Sequence, residues 1–102
     1  MDGWKKICRV EDIPRLGARV VRREGGDIAV FRNADDEVFA LDDKCPHKGG
    51  PLSQGIVHGK HVTCPLHAWK ICLDDGSAVA PDEGCTKRYA IKIKDEDVLL
   101  QI

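Results

Sequence analysis

This sequence has few aromatic residues, no long apolar run and no excess charge of either sign. Of its 102 residues 5% are aromatic, and no stretch approaches the ~20 apolar residues that a membrane helix needs. The first residues also lack the apolar segment of a signal peptide. With 16 basic and 17 acidic residues, the net charge of -1 provides no attraction to nucleic acid or to an anionic membrane. We therefore expect a single cytoplasmic domain over residues 1–102, with neither nucleic acid nor membrane as partner.

The sequence also lacks the motifs of a catalytic centre. It contains no glycine-rich nucleotide loop, no catalytic triad and no pair of carboxylates arranged for acid–base chemistry. We therefore expect no catalytic residue and no substrate site in this chain by itself.

Two short segments each carry one cysteine and one histidine. Cys45 and His47 form a C-x-H pair, and Cys64 and His67 form a C-x2-H pair. A structural zinc site usually takes two cysteines from one segment and two histidines from the other. In a [2Fe-2S] cluster of the Rieske type, two thiolates bind one iron and two imidazoles bind the other. The mixed pairs therefore predict that these four side chains are the metal and cofactor ligands of such a cluster, with each loop supplying one ligand to each iron.

Short apolar segments separated by turn residues predict an all-β fold. Glu24–Gly26 and Asp74–Gly76 are tight-turn signals between apolar segments. Near the end of the chain apolar and polar residues alternate, which is the period of a half-buried strand. The predicted strands are Arg19–Arg22, Ile28–Phe31, Val38–Leu41, His61–Cys64, Trp69–Leu73, Ala78–Val79, Tyr89–Lys94 and Val98–Ile102, with at most one short helical turn at Val10–Ile13.

The cysteine–histidine segments lie between the first and last groups of predicted strands. Residues 1–43 and 86–102 are expected to form one antiparallel sandwich or barrel, the base β-domain. Residues 44–85 are expected to form an inserted cluster-binding subdomain, in which Pro81–Gly84 is a third loop that covers one side of the site. The side chains expected at a docking rim are Lys48, Pro51, Leu52, Pro65, Leu66 and Trp69, although core packing is the favoured interpretation for Trp69.

Three further cysteines and two further histidines are not needed for the ligand set. Cys8 and Cys72 lie among alternating apolar residues and are expected to be buried, whereas Cys85 lies in a turn and is expected to be less buried. His58 and His61 are expected at the surface or in a loop. Since neither ligand loop contains a second cysteine, no disulfide can tie the two loops together.

The residues around both ligand pairs resemble a Rieske [2Fe-2S] domain. The first loop reads C-P-H-K-G-G-P-L-S-Q-G, and the second reads C-P-L-H-A-W-K. The segment Ala80–Cys85 after Asp74–Gly76, the strand Tyr89–Lys92 and the opening Trp4–Cys8 are similar to the small subunit of assimilatory NAD(P)H-dependent nitrite reductases. The resemblance implies a Rieske-type fold and a [2Fe-2S] cofactor held by the two cysteines and two histidines.

The resemblance also implies an oxidoreductase subunit that carries electrons and has no substrate site. Its partner would be a large subunit with flavin, sirohaem and an iron–sulfur cluster, which reduces nitrite to ammonia. Two alternatives stay open: a stand-alone Rieske ferredoxin that serves a ring-hydroxylating oxygenase, and a zinc-bound structural module. Co-purification with a sirohaem protein supports the first interpretation, reduction of an aromatic-ring oxygenase supports the second, and a colourless protein supports the third.

Overall fold

The computed structural model describes residues 3–46, 50–65, 68–79 and 83–101 and shows an all-β protein. Two 3-10 helices, Val10–Asp12 and Leu52–Gln54, are the helical elements of this part of the chain. The strands there are β1 Trp4–Arg9, β2 Gly17–Val21, β3 Ile28–Arg32, β4 Val38–Asp42, β5 Ile56–His58, β6 His61–Thr63, β7 Lys70–Cys72, β8 Ile91–Lys94 and β9 Asp97–Gln101.

These strands form three antiparallel sheets of three strands each. The strand orders are β1-β9-β8, β2-β3-β4 and β5-β6-β7. The last two sheets connect strands that are consecutive in the chain, so short turns are sufficient to join them. In the first sheet β1 pairs with β9, which brings the two ends of the described chain together.

In the sheet β2-β3-β4, the strands β3 and β4 each have consecutive buried residues. Since successive side chains of a strand point to opposite sides, these two strands are buried on both faces. Ala29 and Phe31 of β3 pack in one core, together with side chains of the sheet β5-β6-β7. Ile28 and Val30 pack in a second core, together with side chains of the sheet β1-β9-β8. The unbroken apolar run of β3 thus reflects a strand that contributes to two cores at once.

A buried asparagine joins the sheet β5-β6-β7 to the sheet β2-β3-β4, which lies between the two cores and is called the central sheet. Asn33, which is 1% exposed, follows β3, and its Oδ1 accepts hydrogen bonds from the backbone N–H groups of Asp35 (3.0 Å) and Glu37 (2.9 Å). Its Nδ2 donates to Glu37 Oε1 and to the Gly59 carbonyl oxygen, both at 3.0 Å. Since Gly59 lies in the turn between β5 and β6, this side chain joins two turns of different sheets.

Most of the predicted elements are present in the structure. The β2–β3 hairpin, β4, β6, β7, β8, β9 and the short helical turn lie where the sequence predicts them, with ends shifted by up to two residues. The expected strand Ala78–Val79 is wrong, because Ala78 forms a single isolated β-bridge with Ile71 and no continuous ladder. The strands β1 and β5 are additional to the prediction. Among the described residues, no helix is long and apolar enough to cross a membrane.

Candidate metal centre

The two cysteines of the predicted ligand set are buried at the bases of two loops. Cys45 comes shortly after β4 and Cys64 directly after β6, and each is 2% exposed. Both belong to the core between the central sheet and the sheet β5-β6-β7, which also contains Leu52. The fold thus brings into one core two thiol groups that are well separated in the sequence.

The backbone closes both loops in the same way. The Cys45 N–H donates to the Gly50 carbonyl oxygen (N···O 2.8 Å), and the Cys64 N–H donates to the Trp69 carbonyl oxygen (2.7 Å). In the second loop the Ala68 N–H also donates to the Cys64 carbonyl oxygen, at 3.1 Å. Because each closing bond joins the cysteine to the fifth residue after it, each cysteine is held at the start of a narrow loop.

His47 and His67 lie outside the described residues, as do Lys48 and Leu66 of the expected rim. In the sequence each histidine falls between the two ends of a loop that such a hydrogen bond closes. Within the described ranges, no group of three or more His, Cys, Asp or Glu side chains could hold a metal ion. Since two of the four predicted ligands lie outside those ranges, the assignment of the ligand set stays a prediction.

The donors that the structure does describe have the chemistry that an iron–sulfur cluster requires. Iron–sulfur clusters are held by thiolates, and Cys45 and Cys64 supply two sulfur donors. The remaining members of their core are hydrocarbon side chains such as Phe39, Leu52 and Ile71, which exclude water and do not compete as ligands. Together with the two imidazoles predicted in the same loops, these sulfur donors fit a cluster in which two cysteines bind one iron and two histidines bind the other.

Part of the predicted third loop covers the first one. Gly84 has a φ of +139°, and a Cβ atom at this position would lie 3.2 Å from Cβ of Pro46 and 4.0 Å from Cζ3 of Trp69. A larger residue would therefore meet the proline that follows the first cysteine, in addition to the strained φ. The Ala78 N–H donates to the Gly84 carbonyl oxygen at 2.9 Å and holds the segment in place. Pro81 and Asp82 of this loop lie outside the described residues.

Of the described residues expected at a docking rim, three have the exposure that such a role requires and one does not. Pro65 is exposed, Pro51 is half-buried, and Trp69 is half-buried and packs against the core. Leu52, in contrast, is fully buried, because the helix Leu52–Gln54 packs inward against β2 and β3. Leu52 is therefore a core residue and does not belong to the rim.

An open cavity of about 480 Å³ lies beside the second cysteine. It is lined by Gln54, Gly55, Ile56, Thr63, Cys64, Pro65 and Ala68. Ile56 is 70% exposed at its edge, which is unusual for an aliphatic side chain. The surface next to Cys64 is therefore mainly apolar.

The side chains outside the ligand set are placed largely as expected. Cys8 is buried in the second core, where burial raises the pKa of its thiol, and Cys85 is exposed. Cys72 is half-buried, which is less than expected, because it lies on the outer face of β7. His58 is exposed and His61 half-buried at the ends of β5 and β6, with their rings stacked at 5.9 Å.

Two polar residues at the base of the first loop were not identified from the sequence. The Asp43 carboxylate accepts hydrogen bonds from the backbone N–H of Ser53 (2.7 Å) and from its Oγ–H (2.8 Å). The only sequence signal is their position, because Asp43 precedes Cys45 by two residues and Ser53 follows the glycines and proline of the first loop. The pairing itself is visible only in the folded chain.

The protein-family model of the Rieske [2Fe-2S] domain matches residues 3–90 of this sequence. The chain therefore belongs to the Rieske [2Fe-2S] domain family, and its cofactor is a [2Fe-2S] cluster of the Rieske type. Its role is that of an electron carrier associated with an oxidoreductase system. The family match favours iron–sulfur chemistry over the alternative of a zinc-bound module.

Relatives of similar length include ferredoxin subunits of two dioxygenases. The chain is 37% identical to the 3-phenylpropionate/cinnamic acid dioxygenase ferredoxin subunit of Photorhabdus laumondii over 98 residues, which are 94% of this chain and 91% of the relative. It is also 37% identical to the biphenyl dioxygenase ferredoxin subunit of Pseudomonas sp. strain KKS102, over 95% of this chain and 90% of that one.

Similar solved structures come from oxygenase systems and from nitrite reductases. One is in a complex of reduced oxygenase and oxidised ferredoxin of carbazole 1,9a-dioxygenase, with a TM-score of 0.85, 25% identity, and coverage of 99% of this chain and 94% of the other. Another is a putative small subunit of NADPH nitrite reductase, with a TM-score of 0.85, 26% identity, and coverage of 97% and 98%. The fold is therefore the same in both groups and does not distinguish between them.

Proposed function

We propose that this chain is a Rieske ferredoxin, the electron carrier of a multicomponent oxygenase, with Cys45, His47, Cys64 and His67 as the ligands of its cluster. The observation that carries this proposal is the 37% identity to two dioxygenase ferredoxin subunits over at least 94% of this chain. Both relatives are also matched over at least 90% of their own length. The partners would be an oxygenase and a reductase component.

The described residues suit this role in three ways. When bound, the cluster supplies one-electron redox chemistry, and histidine ligation makes it easier to reduce than an all-cysteine cluster. Burial of Cys45 and Cys64 shields their thiolates from water, and the two backbone hydrogen bonds hold them at the loop bases. The exposed Pro65 and Ile56 provide an apolar surface close to Cys64 where a redox partner can make contact.

A second candidate function is the small subunit of an NAD(P)H-dependent nitrite reductase, whose partner would be the large flavin and sirohaem subunit. It is supported by the 26% identity and the nearly complete mutual coverage with a putative nitrite reductase small subunit. Trp4 and the segment Ala80–Cys85 favour the same interpretation in the sequence. The resemblance in the sequence points to this function first, but the full-length relatives with the higher identity are dioxygenase ferredoxin subunits, which places it second.

We also propose the division into a base β-domain of residues 1–43 and 86–102 and a cluster-binding subdomain of residues 44–85. Its support is that β5, β6 and β7 are consecutive and form a sheet of their own. Their core is nevertheless shared with Phe31 and Phe39 of the sheet β2-β3-β4, so the part of the proposed subdomain that the structure describes has no separate core. A cytoplasmic location also stays a prediction.

The two candidate functions differ in which partner oxidises the reduced protein. The cluster-loaded protein would be reduced with dithionite, freed of excess reductant and mixed without oxygen with either an oxidised ring-hydroxylating oxygenase or an oxidised sirohaem nitrite reductase. We expect the EPR signal of the reduced protein to disappear faster with the oxygenase. Cys45→Ser, which removes a predicted ligand, is the control and should have neither the signal nor the transfer.

The other outcomes of this experiment also have a definite meaning. Faster oxidation by the sirohaem enzyme would establish the second candidate and overturn the first. Oxidation by neither partner would contradict both. Retention of iron and sulfide in Cys45→Ser would refute the ligand assignment without deciding between the partners.

A further inference from the structure

Both cysteine loops share a closing hydrogen bond from the cysteine N–H, but they differ in what holds the chain on either side of that bond. The second loop extends from the β6–β7 hairpin, where Thr63 pairs with Lys70, and the closing bond of Cys64 continues that ladder. The first loop begins after β4, but residues 50–55 on its other side contain a 3-10 helix and no strand. A backbone ladder therefore stabilises the second loop, and the first loop needs another support.

The Asp43–Ser53 pair lies where that support is needed. Asp43 is two residues before Cys45, and Ser53 belongs to the helix Leu52–Gln54 after the loop. The carboxylate uses both oxygens, since Oδ1 accepts from the Ser53 N–H (2.7 Å) and Oδ2 accepts from the Ser53 Oγ–H (2.8 Å). Hydrogen bonds to an ionised acceptor are about twice as strong as those between neutral groups.

Both members of the pair are themselves anchored to the protein. The Asp43 N–H donates to the Asp27 carbonyl oxygen at 2.9 Å, directly before β3. On the other side, Leu52, the neighbour of Ser53, is fully buried in the core that contains both cysteines. Asp43 and Ser53 are half-buried, so solvent screens their interaction less than that of a surface pair. The pair therefore connects two fixed points on either side of the first loop, beyond the closing bond between Cys45 and Gly50.

We propose that Asp43 is a positioning residue for the cluster, and that its two hydrogen bonds to Ser53 replace the missing β-ladder and set the geometry of the first loop. This proposal rests on the proposed role of Cys45 as a ligand. Asp43 does not touch the cluster in this proposal, but acts through the loop that carries Cys45. A residue that only satisfied the N–H of a short helix would affect stability and leave the cluster unchanged.

The number of hydrogen bonds that each variant removes predicts graded effects on the cluster. Asp43→Ala removes both acceptors and leaves the Ser53 N–H and Oγ–H without this partner. Ser53→Ala removes one hydrogen bond and keeps the one to the backbone. Asp43→Asn keeps an acceptor for the Ser53 N–H and offers an amide N–H to Ser53 Oγ, so it should restore most of the function.

The turn after β7 offers a matched control. Asp75 accepts hydrogen bonds from the Ser77 N–H (2.9 Å) and the Ser77 Oγ–H (2.6 Å), which is the same kind of contact made in an exposed turn. This turn follows the end of β7 at Cys72, whereas the cysteine loop joins the other end of the strand. Asp75→Ala therefore removes the same charge and the same types of bond without affecting the support of the first loop.

The test measures the cluster itself in the purified, cluster-loaded protein. Three quantities would be compared for the wild type and the four variants: the rate at which visible circular dichroism decays in the presence of an iron chelator, the EPR g values of the reduced protein, and its reduction potential. We expect roughly tenfold faster decay and shifted g values for Asp43→Ala, an intermediate effect for Ser53→Ala, and near wild-type behaviour for Asp43→Asn and Asp75→Ala.

Wild-type decay and wild-type g values in Asp43→Ala would overturn the proposal. If Asp43→Ala does not fold, Ser53→Ala decides, because unchanged decay and g values in that variant would have the same meaning. Equal effects of Asp75→Ala and Asp43→Ala would also overturn it, because they would show a general effect of charge or stability. If the variants have unchanged clusters and transfer electrons normally to the partner, only the positioning role of Asp43 is refuted. A Cys45→Ser protein that keeps its cluster would instead refute the ligand assignment.

Discussion

At the scale of single residues, a buried tyrosine connects the strand that leads to the first cysteine with two other parts of the chain. Tyr89, which is 6% exposed, donates from its Oη to Asp42 Oδ1 (2.5 Å) and accepts from Arg23 Nη2 (2.6 Å). Asp42 is the last residue of β4, three positions before Cys45. Burial, followed by the hydrogen bond and charge of Asp42, raises the pKa of the Tyr89 hydroxyl.

We expect Tyr89→Phe to lower the free energy of unfolding at pH 7 by about 1–3 kcal/mol, because it leaves Asp42 and Arg23 without this partner. The raised pKa of the folded state also makes a prediction about pH. The contribution of the Tyr89 hydroxyl to the free energy of unfolding is fully present below its pKa in the unfolded chain, near 10.0. This contribution is lost as the pH rises through the higher pKa of Tyr89 in the folded protein. Urea unfolding between pH 7 and pH 11 should therefore show a smaller difference between the two proteins at the alkaline end. A difference that grows with pH would contradict the assignment.

At the scale of elements, the turn after β3 holds the sheet β5-β6-β7 through a single side chain. Asn33 combines two acceptor contacts within its own turn with a donor contact to the Gly59 carbonyl oxygen in the β5–β6 turn. Because β6 leads directly into Cys64, the position of this sheet determines where the second loop begins. The substitutions Asn33→Ala and Asn33→Asp distinguish the acceptor contacts of this amide from its donor contacts.

We expect Asn33→Ala to reduce the free energy of unfolding by at least about 2 kcal/mol, because several buried backbone groups lose their partner. Asn33→Asp keeps the acceptor for the N–H groups of Asp35 and Glu37, but can donate neither to the Gly59 carbonyl oxygen nor to Glu37 Oε1. It should therefore increase hydrogen exchange mainly in β5 and β6. Hydrogen-exchange mass spectrometry would show this difference, and equal exchange in all three sheets of Asn33→Asp would refute the specific link.

At the scale of the whole molecule, the two cores differ in whether they contain cysteines of the proposed ligand set. The core between the central sheet and β5-β6-β7 contains Cys45 and Cys64, whereas the second core contains neither. A metal centre whose ligands come from one core contributes folding free energy mainly to that core. Loss of the cluster should therefore affect the two sides of the protein unequally.

We expect removal of the cluster to lower the melting temperature and to increase hydrogen exchange in residues 50–65 and 68–79, while β1, β8 and β9 stay protected. The measurement compares the cluster-loaded and the cluster-free protein by calorimetry and hydrogen-exchange mass spectrometry. Cys85→Ser is the control, since it changes an exposed thiol and should keep the cluster and the exchange pattern. Equal loss of protection in β1 and in β6 would contradict the prediction.

The predictions from sequence succeeded where the signal is local. The turn residues Glu24–Gly26 and the apolar run of β3 identify a hairpin without any tertiary information. β1 was missed because charged residues and a bulge between Lys6 and Cys8 interrupt its alternation, and its partner β9 lies at the other end of the chain. β5 was missed because a strand of three residues with two exposed side chains has too short a pattern. Such strands are defined by their pairing partners.

The family and its cofactor follow from the sequence alone, and the order and spacing of two cysteines and two histidines match the ligands that a Rieske cluster requires. The burial of Leu52, the closing bonds of Cys45 and Cys64, and the Asp43–Ser53 pair were decided by the tertiary structure. These features depend on contacts between segments whose distance in the sequence carries no information about their distance in space. The sequence therefore determines which atoms are available to bind the cluster, and the packing of the sheets determines how the loops that carry them are held.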